Sequence, residues 1–296
     1  MEKEEIEKLK QTGKIASQVV EFAKSIIKKD MLLVEIANKI ESKIEELGAK
    51  PAFPVSLAIN EIAAHSTPEY NDETKASGLL KIDIGCHIDG YVADTAFSLD
   101  LEDNQENREL IQAAESALKK GIEIISTNST LAEVGKEIEE EIKSRGFTSI
   151  RNLSGHSLGK FELHSGITIP NFDNSSDLEL DEGAYAIEPF ATNGSGVVRD
   201  GKPSGIYRLE KEGNVRDSLA RQVLQFIKDN YNTLPFCSRW IHKKFNSRGL
   251  LSLRQIEAQG ILHHYPQLIE KDLGKVAQAE HTIILTNKEK IITTNL

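Results

Sequence analysis

The sequence predicts an α+β protein of two pseudo-symmetric α/β halves around a mainly antiparallel sheet, with a helical insertion in the second half. Three observations carry this reading. The segment LVEIANKIESKIEELG (33–48) returns as LAEVGKEIEEEIKSRG (131–146): Leu33, Glu35, Ile36, Ile40, Ile44 and Gly48 are matched by Leu131, Glu133, Val134, Ile138, Ile142 and Gly146. A repeat so widely spaced excludes a solenoid; coincidence between two ordinary amphipathic helices is the alternative, and because the preceding helices agree in placement too, two related halves are the better reading. Strand-like runs after each helix pair are linked locally, which favours antiparallel pairing. From Lys202 to Leu268 the pattern turns helical between Asn, Pro and Gly breaks. No low-complexity linker divides the chain, so residues 1–296 are read as one domain with 202–268 as an insertion subdomain.

Each element follows from its pattern. Apolar residues at helical spacing predict helices over 6–28, 33–48, 106–125 and 131–146, with Gly48 and Gly146 as stops. Val55–Asn60 reads as a strand. LLKIDIGCHIDGYVADTAFSL (79–99) alternates on both sides of Asp89-Gly90, a turn dipeptide, and reads as a hairpin. Tyr185–Ala191, Val276–Thr286 and Lys290–Thr294 read as further strands. Within the insertion, 216–230, 235–245 and 252–263 read as three short helices.

Composition narrows the class. Hydrophobic residues make up 39% of 296, ample for a core, and the net charge of −10 argues against a general nucleic-acid or anionic-membrane surface. Two cysteines, Cys86 and Cys237, give no disulfide framework, and Cys86 needs no role beyond a small buried hydrophobe. The N-terminus, MEKEEIEKLK, is charged and helical in character rather than a signal peptide, and no apolar run is long enough to span a bilayer. The expectation is a cytoplasmic protein in which Asn-x-Ser/Thr matches such as Asn128 arise by chance.

Five polar residues stand in apolar settings. Asp83 and Asp94 flank the hairpin turn, which brings them to opposite or diagonal cross-strand positions. Buried there they would repel, and a cation between them is the simplest remedy; on a solvated face they would need none. Glu188 in AYAIEPF and Glu280 in VAQAEHTIIL each also fit an ordinary strand edge, and alternation sends Glu280 and His281 to opposite faces. His156 and His164 lie in the glycine-punctuated NLSGHSLGKFELHSG, and His65 lies in NEIAAHSTP; a single histidine in such a setting is commonly structural. The set changes the weighing. Four carboxylates and one imidazole, Asp83, Asp94, His156, Glu188 and Glu280, would balance two divalent cations, and such oxygen-rich ligation suits Mn²⁺, Fe²⁺, Co²⁺ or Zn²⁺ better than copper. Two such ions can activate water, which is hydrolase chemistry.

The runs KIDIGCHIDGYVADTAFSL, NLSGHSLGKFELHSG, AIEPFATNGSG and AEHTIIL together resemble the methionine aminopeptidases in order and spacing. The stretch SLARQVLQFIKDNYNTLPFCSRWI resembles the insertion of the type II branch, and the missing polybasic extension makes the chain similar to the short, archaeal-style form. The resemblance covers essentially the whole chain and implies the pita-bread fold. It implies that Asp83 chelates one metal, that His156 and Glu188 complete the other, and that Asp94 and Glu280 bridge both. The two divalent cations would be Co, Mn, Fe, Zn or Ni. It further implies Glu188 as proton acceptor, His65 and His164 as donors to the scissile amide, and Phe53, Leu163, Phe190 and Tyr265 as walls of a methionine slot. Substrates would be nascent polypeptides or peptides with an N-terminal methionine and a small second residue. A monomer without nucleic-acid or membrane partners is expected, with docking at the ribosome left open. Two alternatives stand beside it: a non-catalytic pita-bread binding protein, against which the intact ligand set speaks, and an Xaa-Pro peptidase, against which FPVSLAINEIAAH and the insertion speak.

Overall fold

A computed structural model describes residues 1–295. The first half opens with α1 (Lys3–Ile26) and α2 (Leu33–Glu46), and the second with α3 (Gln105–Ile124) and α4 (Leu131–Ser144). Each pair lies against strands that follow it. In α2 the buried stripe is Leu33, Ile36, Ala37, Ile40, Glu41 and Ile44. In α4 it is Leu131, Val134, Gly135, Ile138, Glu139 and Ile142, position for position. The repeat is therefore a repeat of burial, not of residue types alone.

The first stripe packs on Leu57, Leu80, Ile82 and Ile84, and the second on Leu110, Ala117, Ile187 and Ile283. Burying each such aliphatic side chain contributes about 1.5–3 kcal/mol, which is why an amphipathic stripe rather than propensity fixes these helices.

Every pairing between named strands is antiparallel among the described residues. The hairpin Leu79–Ile88 with Tyr91–Asp100 turns through Asp89 (φ 52°) and Gly90 (φ 90°), the left-handed pair of a two-residue type I′ turn. Strand Ser56–Ile59 pairs with the hairpin's first arm. In the second half a five-stranded sheet runs Lys290–Ile292, His281–Leu285, Gly183–Ile187, Ser154–Leu158 and Thr168–Pro170. An Ala96–Glu280 bridge joins the hairpin to the segment entering that sheet.

Two expected strands are broken where chemistry sits. Tyr185–Ala191 divides into Gly183–Ile187 and Phe190–Thr192 around Glu188-Pro189, and Val276–Thr286 divides into Val276–Gln278 and His281–Leu285 around Ala279-Glu280. The expected insertion boundaries take in two strands. Val198–Leu209 and Leu262–Glu270 pair with each other, and the helices between them are α5 (Ser218–Tyr231) and α6 (Ser238–Ala258). Asn246, at φ 56° and ψ −159°, breaks α6 where the sequence suggested a gap between two helices. The helix expected over 252–263 stops at Ala258, because Gly260 (φ 65°) turns the chain into a strand. Val223, Ile227, Phe236, Ile241, Leu253 and Ile256 give this region its own apolar cluster. No helix of the described residues is long and apolar enough to cross a membrane.

Candidate metal centre and its cavity

Strand register sets the first two carboxylates. Asp83 lies opposite Ala96 and Asp94 lies opposite Gly85, so the aspartates are diagonal neighbours on one face. Gly85 has no side chain to fill that face, and a β-carbon there would come within 2.1 Å of the Phe53 ring. Thr282 Oγ1 accepts from Asp94 N and donates to Asp94 O, both at 2.8 Å, and Glu280 N donates to Ala96 O at 2.9 Å. These bonds draw Glu280 under the hairpin.

His156 stands in Ser154–Leu158 opposite Ala186, one strand from Ile187, and Glu188 follows directly where Pro189 ends that strand. Donor atoms of Asp94, His156 and Glu280 all lie within 4.8 Å of one another, as do those of Asp83, Glu188 and Glu280. The five predicted side chains thus converge in two groups that share Glu280. Glu188 groups with Asp83, whereas the resemblance pairs it with His156. Gln278 spans that second group: its Nε2 donates to Glu188 Oε1 at 2.6 Å and to Asp83 Oδ2 at 3.4 Å.

Gln278, Thr282 and Asn171, whose amide donates to Glu188 O at 2.9 Å, have no place in the sequence reading. For Gln278 a signal existed: two residues before Glu280 in an alternating run, it shares that residue's face.

The electrostatics are strained without a counter-ion. Burial pushes Asp83 up to about 7, against the Gln278 hydrogen bond that lowers it. Asp94, Glu188 and Glu280 are raised well above the carboxylate range, by burial first and then by one another's charge. Asp83 Oδ1, Asp94 Oδ1 and both Glu280 carboxylate oxygens are buried without a hydrogen-bond partner. Burial drops His156 to about 3, so its imidazole is neutral with a lone pair to offer, and its Nε2 lies 3.6 Å from Asp94 Oδ2. Orphaned oxygens, crowded like charges and a neutral imidazole are what divalent cations resolve. The donor set fits such ions.

Beside these groups opens a cavity of about 400 Å³. Its walls include Phe53, His65, Leu163, His164, Phe190 and Tyr265, all six of the remaining predicted residues. His65 follows the short strand Ile62–Ala64 at a left-handed φ of 55°. Its ring meets Tyr265 edge-on at 5.2 Å, its Nδ1 is buried without a partner, and burial lowers it to about 4. His164 meets His156 edge-on at 4.4 Å and is also lowered by burial, with the Arg208 charge adding. Both imidazoles are neutral near pH 7 and can each present one N–H. Cys86 lies outside this chemistry: its thiol, buried in the first-half core, is pushed up to about 12.

Comparison with known proteins agrees with this geometry. Residues 7–287 match the model of metallopeptidase family M24. A methionine aminopeptidase of Pyrococcus abyssi is 46% identical over 98% of this chain and 99% of its own length. One of Methanocaldococcus jannaschii is 43% identical over 99% of this chain and 100% of its own. Among solved structures, a methionine aminopeptidase from Thermotoga maritima matches with a TM-score of 0.73 at 21% identity, covering 100% of this chain and 98% of that one, a likeness of fold.

Proposed function

The chain belongs to metallopeptidase family M24, and we propose that it removes the N-terminal methionine from nascent proteins and peptides whose second residue is small. The fold, α+β, is the pita-bread fold of that family. One observation carries the activity: five side chains from both halves bring unpartnered carboxylate oxygens and an imidazole together beside a cavity of about 400 Å³.

Asp83, Asp94, His156, Glu188 and Glu280 would hold two divalent cations, with Glu280 common to both groups. When bound, such ions supply Lewis acidity, lowering the pKa of a solvent molecule and polarising the scissile carbonyl. Glu188 is the proton acceptor: its carboxylate lines the cavity and is held there by Gln278, whose Nε2 donates to Oε1 at 2.6 Å. His65 and His164 donate hydrogen bonds to the amide and to the charge that develops on its oxygen. Their lowered basicity keeps them neutral donors rather than competing cations. Phe53, Leu163, Phe190 and Tyr265 wall the slot for the methionine thioether, which gains from contact with aromatic edges.

The reading extends to a cytoplasmic monomer acting as one domain, with 202–268 inserted in it, on peptides and nascent chains, at the ribosome or free of it, without nucleic-acid or membrane partners. The test incubates protein loaded with Mn²⁺, Fe²⁺ or Co²⁺ under reducing, anaerobic conditions with Met-Ala-Ser, and with an Xaa-Pro peptide as control. Free methionine is expected from the first alone. No release with any of the three metals overturns the reading.

A further inference from the structure

We propose that Arg239, on the inserted helix α6, is a positioning residue for His65: it holds the segment from Ser66 to Pro68 so that His65 stays aimed into the cavity. The proposal rests on the methionyl aminopeptidase reading and goes beyond it by giving the insertion a part in the reaction.

Arg239 is 5% exposed, yet every N–H of its guanidinium finds an acceptor. Nη1 donates to Glu41 Oε2 at 2.7 Å and to Asn38 Oδ1 at 2.8 Å. Nη2 donates to Glu41 Oε1 at 2.8 Å and to Thr67 Oγ1 at 3.4 Å, and Nε donates to Pro68 O at 3.2 Å. One side of the planar fork is locked on α2 and the other on the chain two and three residues past His65. Glu41 is fixed in turn by Trp240 Nε1 at 2.8 Å and by Val55 N at 3.3 Å.

The segment depends on such fixing. His65 occupies a left-handed backbone conformation (φ 55°) that a β-carbon disfavours and that persists only where the surroundings over-determine it. On its N-terminal side Ala64 pairs with Leu268. On its C-terminal side Ser66 O accepts from Leu57 N at 2.6 Å, Ser66 N donates to Ser56 Oγ at 3.2 Å, and Thr67 Oγ1 donates to Val55 O at 3.0 Å. Gln267 donates to Ser66 Oγ at 3.2 Å. Arg239 closes this frame from the insertion. A lysine would keep the charge but not the fork that reaches Glu41, Thr67 and Pro68 together.

The experiment is a double-mutant cycle on the full metal-loaded chain, measuring methionine released from Met-Ala-Ser for R239K, T67V, H65A and the pairs H65A/R239K and H65A/T67V. R239K is expected to lower kcat about 10- to 100-fold, the scale of a displaced catalytic group, with KM changed less than about threefold. In the H65A background the same change should alter the residual rate by less than about twofold, since non-additivity marks residues acting as one unit. Mn²⁺ binding measured by calorimetry should not change. Equal losses from R239K in both backgrounds, or an unchanged kcat, overturn the proposal. If R239K does not fold, T67V, which removes the hydroxyl's bonds to Arg239 and to Val55 O together, is judged by the same criterion. A wild-type chain that releases no methionine fails at the activity reading and takes this inference with it; an active one with additive losses fails only here.

Discussion

The two halves bury the same stripe on α2 and α4 but treat its one charged member in opposite ways. Glu41 and Glu139 occupy matching positions, each buried at the inner edge of its helix. Glu41 takes Arg239 and Trp240 from the insertion, and the Arg239 and Glu41 side chains are 6% and 9% exposed. Glu139 takes Arg151 at 3.1 Å and Lys143 at 2.8 Å, whose side chains are 51% and 59% exposed. One glutamate is tied to a distant element by a buried guanidinium, the other to nearer cations that stand half in water. The repeat holds the same carboxylate twice, and only the first is tied to the region between Val198–Leu209 and Leu262–Glu270. The halves also split the site. The first supplies Asp83, Asp94 and His65, the second His156, His164 and Glu188, and Glu280 lies at the seam between them.

That division predicts the largest effect on the second half's contribution. Glu188→Gln removes the proposed proton acceptor, and with it one charged metal ligand, while keeping the side chain's shape. It should lower kcat for Met-Ala-Ser by about 10²–10⁴-fold, the usual range for a lost general base, with the thermal midpoint little changed. A rate within about threefold of wild type would move the proton acceptor elsewhere.

The glutamates separate the halves by stability. Glu41→Gln leaves Arg239 buried opposite a neutral amide and should cost about 3–5 kcal/mol, as breaking one side of a buried pair does. Glu139→Gln should cost under about 1 kcal/mol, because its cations keep their water. Chemical denaturation of both variants checks the ordering. Equal costs would show that matched burial, not the partner, sets the price of the charge.

Acidity gives the next test, within the first half's hairpin. Asp83 rises from 3.8 to about 7 on folding, so its proton favours the folded state. In metal-free protein that contribution is complete below the unfolded value of 3.8 and is lost as pH rises through about 7. A divalent cation replaces the proton, so added Mn²⁺ should raise the melting temperature more at about pH 8 than at about pH 5. A Mn²⁺ effect that shrinks as pH rises would break the assignment of these carboxylates as ligands.

Much of this was legible in the chain and some was not, for reasons that differ by residue. The hairpin was readable because its alternation and Asp89-Gly90 are local signals. The stripes of α2 and α4 were readable because both carry apolar residues at helical spacing. The four carboxylates stood out as polar groups in apolar runs, whereas His156, in a glycine-punctuated segment, gained meaning only with the set; the structure brings the donor atoms of all five together in two groups. The strands Val198–Leu209 and Leu262–Glu270 were missed because they are irregular: their register shifts between Asp200 and Pro203 and again before Tyr207, so neither shows a clean alternation. Arg239 carried no local signal, since its partners lie on α2 and at Thr67 and Pro68, remote in sequence.

The smallest effect tests whether the duplicated helices begin by the same rule. Thr130 Oγ1 accepts from Glu133 N at 3.2 Å and Glu133 Oε2 accepts from Thr130 N at 2.8 Å, a reciprocal cap that satisfies two otherwise free donors of α4. At the matching start of α2, Leu32 has no side-chain cap. Both helices instead share a backbone bond from a later loop: Leu33 N donates to Thr74 O at 2.9 Å, and Leu131 N donates to Leu178 O at 3.0 Å. Thr130→Ala should therefore cost about 0.5–1 kcal/mol, the low end for a lost cap, because water reaches this exposed terminus and the shared backbone bond remains. The denaturation midpoint reads the total, and amide exchange at Ala132 and Glu133 localises it. If exchange there does not quicken, the loop bond alone starts α4 as it starts α2, and the capping box adds nothing the first half lacks.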